Sequence, residues 1–226
     1  MKRKAKRGRA VMAVLALTLG GPASAPLWAA TRSKAPLTPS IAEANLPAKF
    51  ARPFVAADFN VPVLVKSKDF KIVPLGPDLA KVDYRAYMSS IAHLQATFTR
   101  STAWPHPGIS DAEAMEDMRT EQARFAKRRS FAYAVLTPDG TRELGCIYVY
   151  PSGVEGYDAM VRLWVTKERF DAGFDARLYR WTVDWMKKDW PFAKVAYPGR
   201  SIDWATWDTL VAANKAKTAK SKKRDY

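Results

Sequence analysis

Residues 131–200 read, in order, as strand, turn, strand, strand, helix, strand, and few folds accept that order. Phe131-Ala132-Tyr133-Ala134-Val135-Leu136 is aromatic and β-favouring, as a buried strand requires. Thr137-Pro138-Asp139-Gly140-Thr141 supplies turn chemistry, because Pro presets φ and Gly tolerates a positive one. Leu144 to Tyr150 follows as a second strand, so the pair is a hairpin. A third strand, Asp158 to Val165, leads into a helix that places Leu178, Trp181, Trp185 and Met186 on one face. Val195-Ala196-Tyr197 is a last short strand, stopped by Pro198-Gly199. Strand–helix–strand units of this length make parallel pairs joined by a right-handed crossover. The chain therefore combines an antiparallel hairpin with one parallel crossover.

The 226 residues suffice for one domain with a sizeable core, plus tails. A net charge of +15 suggests a nucleic-acid binder until the charge is located. Twelve of the 37 basic residues, and one of the 22 acidic ones, lie before Ala10 or after Asn214. The body keeps 25 basic against 21 acidic residues, or +4. Basicity is a property of the ends, so no specific nucleic-acid partner is expected. The terminal lysines read as a solvated extension, with a non-specific nucleic-acid or anionic-membrane role as the alternative.

The first residues have their own logic. Lys2 to Arg9 is basic, Ala10 to Leu19 is apolar, Gly20-Gly21-Pro22 breaks the run, and Ala23-Ser24-Ala25 offers small residues. That is the layout of a secretory leader. The apolar run is about half of what a membrane-spanning helix needs. We expect residues 1–30 to be a signal peptide, placing the protein in the periplasm or outside the cell, with no membrane span beyond the leader. A misassigned start codon would make it cytoplasmic. Cys146 is the only cysteine, which excludes an internal disulfide.

Residues 31–66 carry five prolines without sustained periodicity and read as a linker and extended arm. A domain is expected over 67–212 and a basic tail, frayed or disordered, over 213–226. Within the domain, Asp69 to Leu75 reads as a short strand, and Asp83 to Phe98 as a helix carrying Tyr84, Tyr87, Met88, Ile91 and Leu94 on one side. Ser110 and Glu113 form a capping box that opens a second helix running to about Arg129.

The full order from Asp69 is strand, helix, helix, three strands, helix, strand, helix. It resembles the GNAT superfamily of acyl-CoA-dependent N-acyltransferases. The resemblance rests on Phe131–Val135, Gly145-Cys-Ile-Tyr-Val-Tyr-Pro151, Met160-Val-Arg-Leu-Trp-Val165, Leu178 to Trp185, and Trp190-Pro-Phe192. It implies a mixed α+β or α/β fold with a mostly antiparallel central sheet, flanked by helices, with one parallel β-α-β crossover. This chain departs from the family in leaving no room for its two closing strands, so a shortened C-terminal end is expected. The resemblance also implies that the last long strand and its parallel successor splay apart, with the pantetheine arm of acetyl-CoA in the gap. Here the gap would lie between Met160–Val165 and Val195–Tyr197, with the backbone of Leu163, Trp164 and Val165 facing the cofactor.

The family's pyrophosphate loop would fall on Arg169-Phe-Asp-Ala-Gly-Phe-Asp175, of which Arg169 and Gly173 match the pattern, with Lys167 beside them. Backbone N–H groups at a helix start favour an anion there. Asp171 and Asp175 oppose it, and either aspartate alternatively caps the helix. Acyl transfer to an amine needs a donor for the oxyanion and an acceptor for a proton. Glu155 and Asp158 are the candidate bases, Asp158 alternatively a turn residue. Tyr197 or Tyr157 would stand in for the family's general acid, since the last helix carries Trp204 and Trp207 instead.

Other chemistries find less support. No Cys/His set has zinc spacing, so no metal is expected, and no Gly-x-Ser-x-Gly elbow is present. His93 and His106 read as structural or exposed, and Cys146 as a buried strand thiol. Two readings remain: an N-acyltransferase acting on a small-molecule or peptide amine, and an exported, non-catalytic binding module of the same shape. Nothing in the sequence sets an oligomeric state.

Overall fold

The structure, a computed structural model, describes residues 52–224. The expected leader and residues 31–51 of the expected linker lie outside the described residues. Among the described residues, six strands form one sheet in sequence order, β1 Val65–Lys66, β2 Lys71–Pro74, β3 Phe131–Leu136, β4 Glu143–Pro151, β5 Ala159–Val165 and β6 Val195–Ala196. All neighbours are antiparallel except β5 and β6, which run parallel. The helices are α1 Ala80–Met88, α2 Ile91–Leu94, α3 Asp111–Ala126, α4 Lys167–Asp171, α5 Phe174–Asp189 and α6 Trp204–Arg224. This mixed sheet with a parallel final pair, ending at its sixth strand, is the architecture that the resemblance to the GNAT superfamily implies.

The two faces of the sheet bury different residues because side chains alternate along a strand. One face sets Ile72, Phe131, Tyr133, Ile147, Val149 and Leu163 against Leu178, Trp185 and Met186 of α5. Rings interlock there: Tyr133 meets Trp185 edge-on at 5.4 Å, and Trp185 meets Trp190 the same way at 5.5 Å. The other face sets Ala132, Ala134, Cys146 and Trp164 against α1, α2 and α3. Gly145 marks a register shift in the β3–β4 pair. A Cβ on it would stand 2.0 Å from the Trp164 carbonyl oxygen, so the strands close up there only around glycine.

Several boundaries differ from the sequence reading. The expected helix over Asp83–Phe98 is broken at Ser89-Ser90, and residues Gln95–Thr99 form a π-helical turn after α2. Ser89 turns its hydroxyl back to the Ala86 carbonyl at 2.7 Å, and the Ser90 hydroxyl accepts the Lys167 N–H at 2.9 Å. Serine hydroxyls compete with the helix in this way. The part of the expected linker that is described packs onto the core through Phe54, Val55, Phe59 and Val61. The Arg128 guanidinium binds the carbonyls of Ala56 and Phe59. The basic segment expected to fray continues α6, and Asn214 and Lys217 reach back to Gly153 and Glu155. No helix among the described residues is long and apolar enough to cross a membrane.

Candidate functional site

Strands β5 and β6 pair only at Ala159–Val195 and Met160–Ala196. Beyond Met160, β5 runs on to Val165 while β6 stops, so one edge of β5 is left without a neighbouring strand. The Thr166 N–H donates to the Leu144 carbonyl at 3.0 Å, on the β4 side. By alternation, Val161, Leu163 and Val165 turn their peptide groups to the other edge. That edge lines a cavity of about 280 Å³, closed by Thr97 and Phe98 on the α2 side and by Asp175 and Tyr179 of α5. Gly199, with a φ of +76°, turns the chain around its far end. A Cβ there would meet the Trp204 indole at 2.5 Å.

The residues expected to face the cofactor, Leu163, Trp164 and Val165, all line this cavity. Tyr197 also lines it, buried and edge-on to Tyr179 at 5.6 Å. Burial, with Tyr179 and Asp184 adding to it, pushes the Tyr197 phenol above its ordinary range, so it stays protonated. The two carboxylates named as bases are elsewhere. Glu155 sits on the β4–β5 connection with its side chain 73% exposed, in an ion pair with Lys217 at 2.8 Å. Asp158 accepts the N–H groups of Ala193 and Lys194 at 2.9 and 2.8 Å and so ties down the approach to β6. It is the turn residue of the alternative reading. The reason is local: both precede Ala159, on the side where β5 and β6 are joined rather than splayed.

The segment expected to hold pyrophosphate is internally neutralised. Lys167 pairs with Asp171 at 2.6 Å, and Arg169 with Glu168 at 3.2 Å. The Arg169 N–H goes to the hydroxyl of Thr166, which caps α4. Gly173 opens α5 with a φ of +69° and free space around it. Asp175 in the first turn of α5 holds Arg200 in a two-pronged pair, one prong at 2.7 Å. From this segment the cavity wall takes Phe170 and Asp175.

Three cavity residues were not found by sequence reasoning. Arg200 meets Asp175 across 25 residues, and no local pattern signals such a pair. Arg162 lays its guanidinium over Phe98 at 4.3 Å and Trp204 at 5.3 Å, and donates to the Phe98 carbonyl. His93 lines the cavity with its ring 4.7 Å from Phe170. Burial lowers the imidazole, Asp175 opposes and Lys167 adds to that effect, and the net is a neutral ring at pH 7. His106, by contrast, accepts the Gly108 N–H at 3.2 Å in its own loop.

On the α1 side of the sheet, Asp83, Glu143 and Cys146 are buried together with ligand-type atoms within 4.8 Å of one another. The Cys146 thiol donates to Glu143 at 2.9 Å. Burial pushes Asp83 up to about 7 and raises Glu143 and Cys146 well above their ordinary values. The second carboxylate oxygen of Glu143 is buried there without a hydrogen-bond partner.

No family model matches the sequence, and no curated protein matches it. Among solved structures, the chain is similar to one described as a probable acetyltransferase, at 18% identity and a TM-score of 0.49 over 59% of this chain and 72% of that one. It is also similar to the ribosomal-protein-S5-alanine acetyltransferase from Vibrio fischeri, at 15% identity and 0.43 over 56% and 68%. A third is a ribosomal L7/L12 α-N-protein acetyltransferase, at 12% identity and 0.40 over 57% and 66%.

Proposed function

We propose that this protein transfers an acyl group from acyl-CoA, acetyl-CoA in the simplest case, to an amine. The observation that carries the reading is the open edge of β5. A splayed parallel pair leaves the peptide edge of Leu163 and Val165 on a cavity, with the Val165 backbone also bonded to His93, and an amide-bearing arm such as pantetheine can pair along that edge as a strand would. A strand N–H also suits the oxyanion that forms when a thioester carbonyl is attacked. In the reaction the amine nitrogen bonds to the acyl carbon, the C–S bond breaks, and the thiolate leaves. His93, neutral at the cavity wall, takes the proton the amine loses. Tyr197, protonated, supplies one to the departing sulfur. Release of free CoA thiol from acetyl-CoA in the presence of amines tests this: His93→Ala and Tyr197→Phe should each lower kcat at least tenfold. Equal turnover in both variants and wild type would remove these roles.

The second reading, a binding module without turnover, is favoured by the ion pairs Lys167–Asp171 and Arg200–Asp175, which occupy the cations a diphosphate would seek. Ligand binding with no thiol release under any amine would select it. We further propose that residues 1–30 direct export, which fits that second reading because acetyl-CoA is made inside the cell. Mass spectrometry of the native N-terminus decides the point. Intact Met1 in the cytoplasm, with no protein outside, would reject export.

A further inference from the structure

On the other side of Phe98 from the cleft lies a second cavity, of about 230 Å³, between the sheet and helices α1 and α3. Its walls are unusual in combining rings with carboxylates. Tyr87 packs on Trp104 at 5.1 Å, Phe98 on Tyr148 at 5.6 Å, and Tyr148 on Tyr150 at 5.7 Å. Asp83, Asp117, Glu121 and Arg124 also line it, Arg124 pairing with Glu121 at 2.7 Å, so three carboxyl groups face a single cation. Ring faces carry negative potential, so rings and carboxylates together favour one kind of guest, a cation with an apolar stem.

Two buried polar atoms in this wall lack a partner. The Tyr87 hydroxyl, on a residue only 2% exposed, makes no hydrogen bond. Glu121 uses one oxygen on Arg124 at 2.7 Å, and its second oxygen is buried and accepts nothing. Leaving such atoms unpaired costs stability, and a native protein tolerates it where a ligand completes the set. An ammonium brings three donors and no acceptor, which suits the carboxylate oxygen of Glu121 and the lone pairs of the Tyr87 phenol, whose own O–H can turn to a neighbouring carboxylate. Burial raises Asp83, Asp117 and Glu121 above their ordinary range by disfavouring their charged forms, Arg124 opposes this at Asp117 and Glu121, and a bound ammonium would favour the charged forms further.

The charge reverses across Phe98. On the cleft side, Arg162 covers the ring and forms no ion pair among the described residues. A protonated nitrogen is disfavoured beside Arg162 and favoured on the far side, where three carboxyl groups outnumber Arg124. The nitrogen that attacks a thioester must be neutral, so the two sides ask for different states of a basic nitrogen.

We infer that the acyl acceptor has two basic nitrogens joined by an apolar chain, one held as ammonium in the carboxylate-and-ring cavity and the other presented, unprotonated, at the β5 edge. The inference rests on the acyl-transfer reading for the second nitrogen, whereas the ammonium site stands on the cavity alone. The acceptor is therefore an alkyl diamine or a lysine-like side chain carrying a second basic group.

Calorimetry on the full chain without CoA separates the two. 1,5-Diaminopentane and 1-aminopentane should bind, and 1-pentanol and glutarate should not. Asp117→Asn, a change at an exposed position of α3, should weaken the diamine about threefold, and Asp117→Asn with Glu121→Gln about tenfold. With acetyl-CoA added, the diamine should be acylated at least tenfold faster than the monoamine, whose only nitrogen is held in the far cavity. Absence of diamine binding, equal binding of pentanol, or unchanged affinity in Asp117→Asn would overturn the ammonium site whatever acetyl-CoA does. Equal acylation of the monoamine would overturn the two-nitrogen acceptor. Diamine binding that responds to the variants, with no acyl transfer, would instead overturn the acyl-transfer reading and leave the cation site standing.

Discussion

On the α5 face of the sheet, Phe131, Tyr133, Ile147 and Val149 meet Leu178, Trp185 and Met186 with the rings interlocked. On the α1/α3 face the sheet presents Cys146, Tyr148 and Trp164 to helices that bring Asp83 and Tyr87 into the interior. The first face gains its stability mainly from apolar area and close packing, although the Trp185 and Trp190 indole N–H groups are buried there without partners. The second gives some of that up, because buried carboxyls must stay protonated or wait for a cation. It also holds the ring-and-carboxylate cavity and one wall of the cleft. Burial that serves folding and burial that serves recognition are thus divided between opposite sides of the same strands.

Breaking the apolar face should produce the largest effect. Leu178→Ala removes a side chain with no exposed surface and should cost about 2–5 kcal/mol in urea unfolding. CoA affinity of the folded fraction should change less than twofold. A large loss of affinity at unchanged stability would show that the faces are not separate.

The opposite face should respond to pH. Asp83 has its carboxyl raised from 3.8 to about 7, mainly by burial, with Glu143, Cys146, Asp117 and Glu121 as its titratable neighbours. A raised carboxyl binds its proton more tightly in the folded state, so its contribution is full below the unfolded pKa and is lost between about 4 and 7. Asp83→Asn mimics the protonated form. It should therefore gain on wild type, by roughly 1–3 kcal/mol, between pH 5 and 8. A stability difference that is flat across that range would mean Asp83 titrates normally.

A smaller change concerns the cleft. Asp175→Asn frees the Arg200 guanidinium and removes a negative charge from the start of α5. CoA should bind about three- to tenfold tighter, as an anion at a helix start gains on the order of 0.3–1 kcal/mol and a freed guanidinium adds to it. Weaker binding would make Asp175 part of the ligand site rather than its competitor.

The smallest effect belongs to the tail. Deleting residues 213–226 removes the exposed Lys217–Glu155 pair, and exposed pairs contribute ~0–1 kcal/mol. The melting temperature should fall by less than about 4 °C. A larger drop would give the end of α6 a packing role.

How far these regions were legible in the sequence follows from the range of the forces that set them. The β3–β4 hairpin announced itself through Pro138-Asp139-Gly140, and α3 through Ser110 and Glu113, whose reciprocal cap is present. Both signals act within a few residues. That β5 and β6 lie side by side followed from element order, because a parallel crossover after a hairpin fixes which strand ends up beside which; the splaying at Leu163 and Val165 was what the resemblance to the GNAT superfamily implied. The break at Ser89-Ser90 was not legible, since its hydroxyl partner, the Lys167 N–H, lies 77 residues away. Arg200 with Asp175, and the Tyr87–Trp104 wall, are likewise tertiary. Glu155 failed as a candidate because α6 returns over the β4–β5 connection and Lys217 claims its carboxylate.

The central claim is that an acyl-CoA arm lies along the open edge of β5. Backbone amide NMR of the full chain, titrated with CoA and with pantetheine, reads that edge directly. The largest shifts should fall on Leu163 and Val165, with Tyr197 and Gly199 following, while Ile147 and Val149 on the paired side of β4 stay still. Absence of shifts at millimolar ligand, or shifts concentrated away from β5, would contradict the account.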